Sequence, residues 1–204
     1  MSKLTLYGFA ASSNVLKARM LLAELGLDYE LVDVPQERPR PAWLEEFHPL
    51  GTVPVLRDGD AVIGESNTIL RYLAARAGRD DLYPADLVAR AKVDWLLDTW
   101  SMHVRPPAIA VERPALFGPE PDTAAVQAAL PAYVEVLEKV ERLLTGTGSL
   151  LAPGLTIADI SAAPTLYRAN KVFDAATWAR LPKLRAVADA ILAHPSFLAA
   201  GAVR

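Results

Sequence analysis

The order of apolar and polar positions divides the chain into a first part with strand periods and a second part with helix periods. Lys3-Leu4-Thr5-Leu6-Tyr7 alternates and predicts a first strand, and Tyr29 to Val34 predicts a second. Between them Val15, Ala18, Leu22 and Leu25 share one helical face, with Lys17 and Glu24 off it, so Val15 to Leu25 reads as a helix stopped by Gly26. A strand, a helix and a strand with short joins imply a right-handed crossover and a parallel pair. Val53-Pro54-Val55-Leu56 and Ala61-Val62-Ile63 flank Arg57-Asp58-Gly59-Asp60, whose Asp-Gly centre suits the tight turn of an antiparallel hairpin. An apolar-periodic helix then runs from Asn67 to Arg76, with Ser66 or Asn67 at its mouth. Trp43 to Phe47 predicts one short helical stretch beyond the proline-rich loop from Pro35 to Pro41. The first part is therefore βαβ followed by ββα, around a mixed four-stranded sheet.

After Gly78 to Asp86, a polar and turn-rich linker, strand patterns disappear. The expected organisation is an α/β domain over residues 1–77, a linker over 78–86 and an all-α bundle over 87–204. Helices are predicted from Leu87 to about Val104, Thr123 to Leu144, Ile157 to Val172 and Pro182 to Leu192. The expected breaks are Arg105-Pro106-Pro107, the run from Arg113-Pro114 to Pro121, Gly146-Thr147-Gly148 and Leu181-Pro182. Pro131 and Pro164 fall inside predicted helices, where a proline removes a hydrogen bond and kinks the axis. In Leu155-Thr156-Ile157-Ala158-Asp159-Ile160, Thr156 can cap a helix, Asp159 stands at its third position and Leu155 can staple to Ile160.

Composition narrows the chemistry. Twenty-one basic and 24 acidic residues leave a net charge of −3, too near neutral to suggest nucleic acid or a membrane surface as partner. No run of 18 uncharged apolar residues occurs, and the chain enters its first strand without a secretory pattern, so a cytoplasmic location is expected. There is no cysteine, which excludes disulfides, thiolate metal sites and redox chemistry on the protein's own sulfur. His48, His103 and His194 lack a ligand-like spacing, so no metal is expected.

Three stretches stand out as candidate chemistry. Pro54 cannot donate to a ladder; it either opens an edge strand or forms a cis bond with Val53 that turns the Val53 backbone toward an extended peptide. Glu65-Ser66 at a helix mouth suits an α-amino acid head group: free N–H groups and a hydroxyl for the carboxylate, and Glu65 for the ammonium. Ser12, Ser13 and Asn14 lie at the mouth of the first helix, where they fit either an ordinary N-cap or a hydroxyl that donates to an anion.

Val-Pro entering the third strand, a DG hairpin and Glu-Ser opening a helix, all within the first eighty residues, resemble the cytosolic glutathione transferases, whose first domain is thioredoxin-like. The capping sequence around Thr156, then Leu181-Pro182-Lys183-Leu184 and His194-Pro195-Ser196-Phe197, resemble that family's helical second domain. Ser-x-Asn-x-x-Lys-x-Arg from Ser12 to Arg19 is similar to the serine-type members, the bacterial, theta, phi and zeta-like classes.

The resemblance implies an enzyme that binds glutathione as co-substrate, ionises its thiol and conjugates it to a small hydrophobic electrophile. By motif, Ser12 donates to the sulfur, with Ser13 in reserve and Tyr7 as the rival donor used by tyrosine-type relatives. Val53 pairs with the cysteinyl part, Pro54 is cis, and Glu65 and Ser66 hold the γ-glutamyl end. Arg40 and Arg38 are the candidates for the glycyl carboxylate, near Thr52. Thr52 stands where relatives often have Lys or Gln, and His48 where Asn is common. The electrophile would meet the helix that bears Trp95, Thr99, Met102 and His103, and Asp98 could reach a partner subunit's glutathione in the homodimer that the family implies. The same fold also serves glutathione-dependent isomerases, dehalogenases and lyases, and binding or regulatory modules without turnover.

Overall fold

The computed structural model describes residues 3–201. In chain order the elements are β1 (Leu4–Tyr7), α1 (Ser13–Glu24), β2 (Tyr29–Val32), α2 (Ala42–Phe47), β3 (Val55–Asp58), β4 (Ala61–Ile63), α3 (Ser66–Arg76), α4 (Leu87–Thr99), a π-helical turn (Trp100–Val104), α5 (Arg105–Leu116), α6 (Thr123–Glu141), α7 (Ile157–Val172), α8 (Ala175–Ala179), α9 (Pro182–Leu192) and α10 (Pro195–Ala199). Two compact units result. The first takes in the chain up to Tyr83 together with the segment from His194 onward, and the second is Pro84–Ala193. The helical domain expected to run to residue 204 thus gives way at His194, because α10 packs on α1 of the first unit. His194 contributes there too, its Nδ1 3.6 Å from Glu24 Oε2.

The first unit is the thioredoxin-like mixed sheet that the periodicity implied, in the order β2-β1-β3-β4. β1 and β2 are parallel, while β3 runs antiparallel to both β1 and β4. Alternation along β1 buries Leu4 and Leu6 on one face and sends Tyr7 to the other, where it joins Val34, Leu44, Phe47, Val53 and Val55. β3 begins two residues later than the sequence suggests, at Val55, since Pro54 has no N–H to give to a ladder. The hairpin turn is Gly59-Asp60 rather than Asp58-Gly59, with Gly59 at φ 60°. Asp58 stays in the strand opposite Ala61, and its buried carboxylate receives Arg76 Nε at 2.6 Å and the Tyr72 hydroxyl at 2.8 Å.

The second unit is wholly helical among its described residues and is built around α7, which is buried over most of its length. One prediction fails here. Arg105-Pro106-Pro107 opens α5 instead of ending the helical run, and Pro114 lies inside α5. The preceding turn is π-helical, with the Arg105 N–H donating to the Trp100 carbonyl, and the prolines then occupy the first turn of α5, where an N–H finds no partner within that helix. Glu112 of α5 is buried and accepts from Arg105 at 2.7 Å and from Arg168 at 3.1 Å, so its charge is compensated within the core. At the start of α7 the capping box is complete: Asp159 accepts from the Thr156 N–H at 2.8 Å and from the Leu150 N–H at 2.6 Å.

Candidate active site

Register brings three loops to one end of the sheet. Tyr7, the last residue of β1, is paired with Val55, the first of β3, and Leu56 is paired with Ile63, the last of β4. The loop from β1 into α1, the Val53-Pro54 entry to β3 and the Gly64-Glu65 exit from β4 therefore emerge side by side. α1 and α3 both start from that end, so the positive ends of both helix dipoles face it.

At the mouth of α1, Ser12 is the N-cap: its Oγ accepts from the Val15 N–H at 3.4 Å, a long bond. Capping and donation do not compete, because the cap uses an oxygen lone pair and leaves the hydroxyl hydrogen for another acceptor. Ser12 is half-buried, whereas Ser13, the first residue of the helix, is buried. The Tyr7 ring packs against Phe47 at 5.1 Å and Trp43 at 5.9 Å between centroids, in the cluster that seats α2 on the sheet.

At the entry to β3 the Val53–Pro54 bond is cis, the second of the two geometries that the sequence left open. Thr52, just before it, is hydrogen-bonded through Oγ1 to His48 Nε2 at 2.8 Å. Arg40 points back into its own loop, donating to the carbonyls of Pro35 and Glu37, and its guanidinium lies 5.3 Å from the Phe9 ring of the β1–α1 loop. Its Nε is buried without a partner, while Arg38 is exposed. Phe9 went unremarked in the sequence, since a lone aromatic in a small-residue loop carries no periodic signal.

The mouth of α3 has an unusual backbone. Glu65 has φ 61° and ψ 118°, and among the described residues it is the one non-glycine with positive φ. A residue with a Cβ keeps such a conformation only where its surroundings impose it, and strained positions of this kind cluster at ligand sites. Glu65, not Ser66, occupies the N-cap position, and its side chain caps nothing. Ser66 is therefore not the cap that one reading of the sequence made it; it is the first helical residue, and it is buried. An exposed carboxylate, a serine and an uncapped helix mouth lie next to one another.

In the helical unit the proposed electrophile residues divide. Trp95 and Met102 are 57% and 68% exposed and His103 is also exposed, but Thr99 is 9% exposed and faces the interior with Leu96 and Trp100. Trp95 and Thr99 stand one turn apart on the regular part of α4, yet the edge of the buried face passes between them, so spacing in the sequence overstated how far the four share a face. Asp98 is exposed. Among the described residues no cluster of three or more His, Asp or Glu could hold a metal ion, and no helix is long and apolar enough to cross a membrane.

Comparison with known proteins agrees with this architecture. The family model described as glutathione S-transferase, N-terminal domain, matches residues 6–81, and that described as glutathione S-transferase, C-terminal domain, matches residues 123–190. The chain is 35% identical over 209 residues to glutathione S-transferase 3 of Zea mays, covering 97% of this chain and 92% of that protein. Its fold is similar to that of glutathione S-transferase III in apo form, with TM-score 0.82 and 33% identity over 98% of this chain and 95% of that one. It is also similar to glutathione S-transferase-I bound with lactoylglutathione, with TM-score 0.86 and 26% identity over the whole of both chains. Two domain models matched in order, and a relative of this identity across nearly the full length, establish that the chain belongs to the glutathione S-transferase family.

Proposed function

We propose that this glutathione transferase ionises the thiol of glutathione at the mouth of α1, with the Ser12 hydroxyl donating to the sulfur, and joins the thiolate to a small hydrophobic electrophile. The observation that carries the reading is the convergence of the Ser12 loop, the Val53 backbone and the Glu65-Ser66 mouth at one end of the sheet. Glutathione laid across that end has its cysteinyl amide opposite Val53. Its γ-glutamyl carboxylate meets Ser66 and the first-turn N–H groups of α3, and its ammonium meets Glu65. Arg40, whose Nε lacks a partner, is the better candidate for the glycyl carboxylate, with Arg38 and Thr52 nearby in the chain.

Magnitudes decide what Ser12 must do. A free thiol with pKa about 8.5 is roughly 3% ionised at pH 7. Lowering it to about 7 requires roughly 2 kcal/mol, within reach of one hydrogen bond to an anion plus a helix N-terminus. Thiolate then rises about 16-fold, but the less basic sulfur is about fivefold less nucleophilic, so ionisation alone gains roughly threefold. Most of the acceleration must come from aiming the sulfur.

The electrophile is proposed to lie against Met102, His103 and Trp95, the exposed members of the predicted set, and Thr99 supports them from within. Exposed Leu87 and Val88 at the start of α4 support a homodimer, which light scattering of the native protein and of Leu87→Glu would test. The mechanism itself is tested by the ultraviolet thiolate band of protein-bound glutathione, titrated from pH 5 to 9. A midpoint at least one unit below the free thiol supports it; binding with an unshifted midpoint turns the reading to a ligand-holding module. Tyr7→Phe separates the serine and tyrosine assignments: with its ring committed to packing, kcat/KM should stay within about threefold of wild type. A loss larger than that of Ser12→Ala would move the donor to Tyr7.

A further inference from the structure

His48 touches both of the segments that flank the candidate glutathione site, Thr52 on one side and Gly64 on the other. It ends α2, its N–H donating to the Leu44 carbonyl at 2.9 Å, and its own carbonyl accepts from the Gly51 N–H at 2.8 Å. On one side its ring Nε2 is hydrogen-bonded to Thr52 Oγ1 at 2.8 Å. On the other side the ring lies against Gly64: a Cβ built on that residue would stand 2.7 Å from His48 Cε1 and 3.2 Å from Nδ1. That approach is closer than any side chain allows, so glycine at 64 is what permits the ring to sit there. Thr52 immediately precedes Val53, and Gly64 immediately precedes Glu65.

We propose that His48 is a positioning residue, which sets the distance between the Val53 backbone and the Glu65-Ser66 mouth and so fixes the affinity for glutathione without touching it. The inference rests on the glutathione site proposed above. Its physical basis is that Glu65 holds φ 61° only if its neighbours restrain it, and the ring seated on Gly64 supplies a restraint anchored, through Thr52, to the opposite side of the site. A ligand clamped at two points loses affinity when the points separate, even if every contact residue is intact.

The test is glutathione titration, steady-state kinetics with both substrates varied and thermal unfolding, for wild type, His48→Ala, His48→Gln, Gly64→Ala and the double variant His48→Ala/Gly64→Ala. His48→Ala should raise Kd and KM for glutathione about tenfold while kcat and the KM for the electrophile stay within about twofold. His48→Gln, whose amide can reach Thr52 Oγ1, should recover glutathione affinity to within about threefold of wild type. Gly64→Ala should weaken glutathione binding in the wild-type background and add little once the ring is gone, the non-additivity expected of two groups in contact. The proposal is overturned if His48→Ala leaves glutathione affinity unchanged, if both KM values and kcat move together with the unfolding midpoint, or if the double variant is additive. A wild-type protein that binds no glutathione overturns the underlying reading as well, and is recognised before any variant is compared.

Discussion

Asp159→Ala should destabilise the helical unit by about 3–5 kcal/mol at pH 5, the largest stability loss we expect from a single substitution. The carboxylate takes the Leu150 N–H at 2.6 Å through Oδ1, and the Thr156 N–H at 2.8 Å and hydroxyl at 2.9 Å through Oδ2, all in buried surroundings. Alanine leaves two buried N–H donors without acceptors, at roughly 1–3 kcal/mol each, and detaches the 150 segment from α7. Asparagine offers one carbonyl oxygen for two donor sites, so Asp159→Asn should fall between wild type and alanine.

The loss should depend on pH, with a sign opposite to that of an ordinary salt-bridged aspartate. Burial pushes the Asp159 carboxyl up to about 6, and this outweighs the hydrogen bonds from Leu150 and Thr156 that act to lower it. Between the unfolded value near 4 and the folded value the native state binds the extra proton, so this stabilising contribution is full below about pH 4 and is lost as pH rises through 6. The protonated form need lose no contact: the Thr156–Asp159 bond can reverse, the carboxyl donating to Thr156 Oγ1. From pH 5 to pH 8 wild type should lose about 1.4 kcal/mol through this group, and the variant should lose none, so the cost of Asp159→Ala shrinks by that amount. Urea unfolding of both proteins at the two pH values measures it; equal costs at pH 5 and 8 would mean that the carboxylate is ionised throughout.

Ser12→Ala should lower kcat/KM by about 10²-fold while costing at most about 1 kcal/mol of stability. The two numbers come from separate uses of one hydroxyl. The cap to Val15 at 3.4 Å is weak, so its removal should leave a folded protein. The catalytic loss divides unequally: roughly threefold is the ionisation share at pH 7, and the remainder follows from an unaimed sulfur. Raising the pH should therefore recover only the smaller factor. A variant restored to wild-type rate at pH 9 would show that Ser12 acts on the pKa alone, and one unaffected at any pH would make it a cap and nothing else.

What could be read from the sequence was whatever depends on local pattern. The strands, the first helix and the Thr156 box are each decided by residues within a few positions, and each is found within about two residues of its expected place, although Lys17, expected off the buried face of α1, is itself buried. Failures came where distant parts decide. Pro106-Pro107 is a breaker by local rule, yet α5 begins there because the π turn before it supplies the geometry. Asp-Gly places Asp58 in a turn by local rule, whereas Arg76 and Tyr72 hold it in the strand. His48 and Thr52 could each be noticed as departures from the family pattern, but the bond between them, and the ring seated on Gly64, depend on how α2 returns to the sheet.

The return of the last helix has a consequence for biosynthesis. α10 and the His194–Glu24 contact belong to the unit that contains β1 and α1, although the whole of Pro84–Ala193 is translated before them. A ribosome needs on the order of ten seconds to make a segment of that length. During that interval the sheet has left the exit tunnel with one flank of α1 uncovered, so the half of the enzyme made first is finished last. A chain released early, anywhere before His194, should expose that flank and be a better chaperone substrate than its length alone suggests.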